Sequence, residues 1–91
     1  MQKRVKEIKY SPKFLKHLSQ LPARILREAQ TKEILFKEDI FNPRLKTHKL
    51  HGKDKDCWGF WIDYTYRIKF CFLEVDEVLF LDIGTHDIYS K

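Results

Sequence analysis

Tyr66-Arg67-Ile68-Lys69-Phe70-Cys71-Phe72 alternates aromatic or branched apolar residues with two cations and a cysteine. Successive side chains of a strand point to opposite faces, so Tyr66, Ile68, Phe70 and Phe72 share one face and Arg67, Lys69 and Cys71 the other. The first face demands an apolar cover, and the second presents a cationic pair suited to a phosphate. On either side, residues 58–63 and 78–83 are rich in aromatic and β-branched residues, with Tyr64-Thr65 and Glu74-Val75-Asp76-Glu77 as connections. Three consecutive strands joined by hairpins follow.

The first half supplies the cover. Residues 5–10 alternate apolar and charged side chains, as an edge strand does. Ser11-Pro12 combines an N-cap with a first-turn proline, and Phe14, Leu15, Leu18 and Leu21 form one apolar face, predicting a helix over 12–20. Pro22 opens a second helix, whose less regular stripe is Ile25, Leu26, Ala29, Leu35, Phe36 and Ile40, until Asn42-Pro43 ends it. Strand, two helices and meander make an α+β fold, with both helices packed on one face of a mainly antiparallel sheet. Ninety-one residues fit a single domain, 1–91, with one core.

Charge is unevenly spread. Residues 1–55 hold fifteen Lys and Arg against six Asp and Glu, whereas residues 56–91 hold three against seven. The connector 44–56 is the densest part: Arg44, Lys46, Lys49, Lys53 and Lys55, interleaved with His48 and His51, with a short strand expected at 47–50. Such clustering suits a polyanion such as RNA, or an acidic protein. No apolar run approaches the ~20 residues of a membrane span, and the start lacks the apolar stretch of a secretory signal, so no membrane role and a cytoplasmic address are expected. A two-residue turn at Tyr64-Thr65 sets Cys57 opposite Phe72, and a three-residue one sets Cys71 opposite Gly59; both cysteines are therefore read as reduced core residues.

The last strand runs out into Gly84-Thr85-His86-Asp87-Ile88-Tyr89, where Thr, His, Asp and Tyr are polar groups that a core cannot use without partners. In a meander rimmed by the connector, Arg67 from the middle strand, His86 from the end of the last, and His48 or His51 from the connector converge on one concavity. Metal-free RNA cleavage needs such groups: a base for the 2′-hydroxyl proton, a cation for the crowded phosphorane, and an acid for the departing 5′-oxygen. Histidine suits both proton transfers, with an unperturbed pKa of ~6.5. His48 and His51 also have a zinc-like spacing, but no cysteine pair stands near, and no metal or cofactor is expected. His17, on the polar side of the first helix, reads as solvated. Tyr89 reads equally as a C-terminal anchor or as a base-stacking ring. Trp58 and Trp61 face opposite ways: one joins the core, the other floors the groove, and the hairpin register decides which.

Four features together resemble the RelE/ParE superfamily of bacterial toxins, and its YafQ-type mRNA interferases in particular. They are the element order, the segment Leu45-Lys46-Thr47-His48-Lys49-Leu50-His51-Gly52, the strand Tyr66-Arg67-Ile68-Lys69-Phe70, and the ending Leu81-Asp82-Ile83-Gly84-Thr85-His86-Asp87-Ile88-Tyr89. The resemblance implies the toxin of a type II toxin-antitoxin pair, which cuts mRNA on the ribosome and is silenced by a cognate acidic antitoxin in a hetero-oligomer. By position, His48 and His86 become the proton-transfer groups, Arg67 the phosphate cation and Tyr89 the aromatic that holds RNA. Arg44, Lys46, Lys49, His51, Lys53, Lys55 and Lys69 become RNA contacts. The same scaffold also serves ParE-like members that bind DNA gyrase and cleave nothing, which leaves a non-catalytic toxin or an inactive basic domain as the alternative.

Overall fold

The computed structural model describes residues 3–89. Strand β1 (Glu7–Tyr10) leads into helices α1 (Pro12–Leu18) and α2 (Ala23–Glu38), followed by the two-residue β2 (His48–Lys49) and the meander β3 (Cys57–Trp61), β4 (Tyr66–Glu74) and β5 (Glu77–Thr85). The sheet order is β1-β5-β4-β3-β2. Only β1 runs parallel to its neighbour, β5. The expected α+β architecture is present, with the short connector strand at the far edge.

Four phenylalanines hold the layers together. Phe36 of α2 stacks on Phe60 of β3 at 4.6 Å and meets Phe70 and Phe80 edge-on at 4.9 and 5.3 Å. All four are buried. Phe14 of α1 packs on Phe80 at 5.4 Å, so both helices lie on the same sheet face. Ser11 caps α1 as expected, accepting from the Phe14 N–H while its hydroxyl donates to the Leu81 carbonyl. That second bond satisfies β5 beyond Phe80, where its pairing with β1 stops.

Helix α2 ends at Glu38, earlier than Asn42-Pro43 implied. Asp39 is extended and its carboxylate accepts from the backbone N–H groups of Lys3 and Phe41, while Ile40 donates to the Lys3 carbonyl. Pairing with the N-terminal segment therefore overrides helical periodicity. Pro43 instead opens a 3-10 turn, Pro43–Leu45, closed by Lys46 in the left-handed conformation.

The cysteines depart most from expectation. Cys57 stands directly opposite Cys71, Cα atoms 4.5 Å apart, and the two form a disulfide. That separation is typical of antiparallel pairs without mutual hydrogen bonds, whose side chains approach closely. The register differs from both expected turns because the carboxylate of Asp63 accepts from the N–H groups of Thr65 and Tyr66, folding the connection around an Asx turn. His17 is also not simply solvated: its Nδ1 lies 2.6 Å from the buried carboxylate of Asp82, which Lys13 approaches at 3.5 Å.

Phe36→Ala removes the ring that joins Phe60, Phe70 and Phe80 and should cost about 3–5 kcal/mol, read as a lowered denaturation midpoint. Unfolded without reductant, the protein should show no titratable thiol; two thiols per chain would mean that Cys57 and Cys71 are reduced.

Candidate functional site

Past Thr85 the chain makes a 3-10 turn, His86–Ile88, and folds back across the sheet face opposite the helices. Two strand glycines make room for it. A Cβ on Gly84 would meet Ile88 at 2.8 Å, and one on Gly59 would come within 2.2 Å of the Tyr89 hydroxyl. Tyr89 thus lies on bare backbone of β3, only 8% exposed. Interior glycines usually weaken strands, and here they mark close approach of a side chain.

The same register brings histidine to that ring. His48 of β2 pairs with Gly59, and its imidazole meets Tyr89 edge-on at 5.6 Å. His86 meets Tyr89 edge-on at 5.1 Å. Tyr89 therefore contacts both imidazoles. His48 Nδ1 lies 2.9 Å from the Lys46 carbonyl, which can only accept, so Nδ1 carries the proton and the neutral ring keeps its lone pair on Nε2.

Arg67 is less open than a cation on a free sheet face. It is 8% exposed, and Nη1 donates to the carbonyls of Asp63 at 2.7 Å and Tyr66 at 3.2 Å. Its guanidinium carbon stands 4.1 Å over the Trp61 ring. Trp61 is accordingly the tryptophan on the site face, while Trp58 packs against the core. Burial pushes the Tyr89 phenol up to about 12, with the Arg67 charge opposing the shift. The hydroxyl has no hydrogen-bond partner among the described residues.

These groups line two adjoining hollows rather than one concavity. The larger, about 450 Å³, is lined by Trp61, Tyr64, Thr65, Arg67, Thr85, His86 and Asp87. The second, about 320 Å³, is lined by His48, Lys49, Leu50, His51, Gly52, His86 and Tyr89. His86 belongs to both. Arg44, Lys46, Lys53 and Lys55 are exposed and line neither. Lys69, expected as a free cation, is held by Asp54 at 3.4 Å with its side chain 13% exposed, because the turn Gly52–Asp54 brings that carboxylate to β4. Among the described residues, no three His, Cys, Asp or Glu are arranged as metal ligands.

No protein-family model matches the sequence, and neither does any curated protein. Solved structures do. A YoeB/ParE toxin from Agrobacterium tumefaciens superposes with a TM-score of 0.74 at 13% identity, over 88% of this chain and 98% of that one. The E. coli DinJ-YafQ toxin-antitoxin complex has a chain matching at 0.71 and 17% identity, over 97% of both chains. The archaeal RelE-RelB complex from Pyrococcus horikoshii contributes one at 0.69 and 17%, over 93% and 96%. This chain has the RelE/ParE toxin fold.

Within that fold, Tyr64, Thr65, Thr85 and Asp87 are lining residues that sequence reasoning did not assign, and Trp61 is the one of the two tryptophans that floors the groove. The two strand glycines were a usable signal for the Tyr89 contact. Alternation narrowed the groove tryptophan to Trp58 or Trp61 and the register chose between them, whereas Tyr64 carried no signal. Because the folded state holds the Tyr89 proton to about 12 and an unfolded chain loses it near 10, folded protein binds more protons between those values. Stability should fall as pH rises through that window, by up to about tenfold in the folding constant per pH unit. Tyr89→Phe should lessen that fall and, by removing an unpartnered buried hydroxyl, raise stability at pH 7 by about 1 kcal/mol in chemical denaturation.

Proposed function

We propose that this protein is the toxin of a type II toxin-antitoxin pair, an endoribonuclease that cuts mRNA on the ribosome by metal-independent acid/base chemistry. The observation that carries the reading is the placement of His48 and His86 against the same tyrosine, with Arg67 lining the hollow on the far side of His86. A phosphodiester held between the two imidazoles lies over Tyr89, beside the hollow that Arg67 lines.

His48 is poised as the base. With Nδ1–H committed to the Lys46 carbonyl, Nε2 accepts the 2′-hydroxyl proton as that oxygen attacks phosphorus. His86, exposed at the end of β5, gives a proton to the leaving 5′-oxygen, yielding a 2′,3′-cyclic phosphate and a 5′-hydroxyl. Arg67 is held by backbone carbonyls and does not reorganise as charge develops on the phosphorane. Lys49 and His51 extend positive or proton-donating character along the second hollow. The exposed Arg44, Lys46, Lys53 and Lys55 supply sequence-independent attraction to ribosomal and messenger RNA backbone.

The excess of cations in residues 1–55 also calls for an acidic partner to mask it, and we assign that role to a cognate antitoxin. The DinJ-YafQ and RelE-RelB chains of the same fold were solved in toxin-antitoxin complexes.

Expression should arrest growth with mapped cuts in translated mRNA, and His86→Ala should lower cleavage about 10²- to 10⁴-fold while the circular dichroism of the fold persists. Growth arrest with intact transcripts would instead place the target elsewhere, as for a gyrase-binding toxin.

A further inference from the structure

The larger hollow contains more than the proton-transfer scheme uses. Tyr64, at the tip of the β3–β4 connection, is 83% exposed, and its ring stands edge-on to Trp61 at 5.9 Å. Trp61 in turn lies under the Arg67 guanidinium. An aromatic ring left in water beside a cation-capped indole offers flat π surface, and every nucleobase has a face to stack on such surface.

The hollows also differ in charge. Lys49, His48 and His51 line the second with no acid among them. The first sets the Asp87 carboxylate against the Arg67 guanidinium, which two backbone carbonyls and the Trp61 ring already engage, and adds the hydroxyls of Thr65 and Thr85. The second hollow is the more positive and favours the phosphate, while the end of the first beside Asp87 is left to a neutral group. A base bearing an amino group is favoured there, because a carboxylate accepts from it.

We propose that the Trp61–Tyr64–Asp87 hollow is a specificity subsite for one unstacked RNA base, next to the phosphate served by His86, and that it prefers a base with an amino group over uracil. The inference rests on the RNA-cleaving reading above. Tyr64 is the stacking platform, the Trp61–Arg67 pair is the floor, and Asp87 with the two threonines reads the edge. The base must leave its own stack to enter, so single-stranded RNA is the substrate form.

The test is binding of 5′-labelled 2′-O-methyl octaribonucleotides, which cannot be cut, followed by fluorescence anisotropy. One position in turn carries cytosine, uracil or an abasic sugar. Tyr64→Ala alters an exposed ring and should weaken binding of the cytosine octamer roughly 5- to 150-fold. An abasic sugar at the responsive position should weaken wild-type binding similarly and Tyr64→Ala hardly further. Asp87→Asn should remove the preference for cytosine over uracil. Wild-type binding that Tyr64→Ala leaves within twofold, or losses that simply add, would overturn the subsite while the nuclease reading stands. Binding of none of the octamers by the wild type would overturn the subsite, whereas the nuclease reading falls only if expression leaves translated mRNA uncut. If Tyr64→Ala spares RNA binding but breaks association with an acidic protein, the hollow is a protein contact and the proposal falls.

Discussion

The carboxylate of Asp63 governs this structure out of proportion to its size. By accepting from the N–H groups of Thr65 and Tyr66 it fixes where β3 reverses into β4, and so which residue faces which along the hairpin. From that register follow Cys57 against Cys71, Gly59 against Lys69 and Trp61 against Arg67. The Asp63 backbone takes part as well, since its carbonyl receives Arg67 Nη1. A slip of one residue would turn every side chain of β3 to the other face, putting Trp61 among the core phenylalanines and Phe60 in the site. One turn therefore decides both the core and the groups on the opposite face.

The site is built by fitting a short C-terminal turn onto a sheet with gaps in its side-chain cover. Gly84 admits Ile88 and Gly59 admits Tyr89, and between them the turn is pressed flat enough for Tyr89 to touch both His48 and His86. The apolar cover of the opposite face does the reverse job. Phe36 spans Phe60, Phe70 and Phe80, and so holds β3, β4 and β5 as one rigid platform. Groups mounted on strands keep their geometry better than groups mounted on loops, and Arg67 is the group mounted most firmly.

Local pairing also sorts the many charges. Lys69 and Asp54 neutralise each other beside the disulfide, and Asp82 binds His17 and Lys13 at the edge where β1 leaves β5. The cations of the connector rim stay exposed. The net positive balance of the first half is thus expressed chiefly at the surface, whereas the charged groups around the two hollows are few and individually held.

Much of the fold was legible from sequence because it depends on local signals: alternation in 66–72, the Ser11-Pro12 cap, apolar helical spacing, and the turn residues between strands. The chemistry-bearing residue types at the C-terminal end and in the connector were legible too, since polar residues in succession have no use in a core. The disulfide, the compensation of Lys69, the His17–Asp82 contact, the choice of Trp61 over Trp58 and the role of Tyr64 were not. Each depends on a register or a loop path, which one carboxylate accepting from two backbone N–H groups can change by a residue. Side-chain periodicity determined that a two-faced sheet would form under two helices. Only tertiary structure decided which groups meet on its second face, because contacts between segments far apart in the chain leave no period in the sequence.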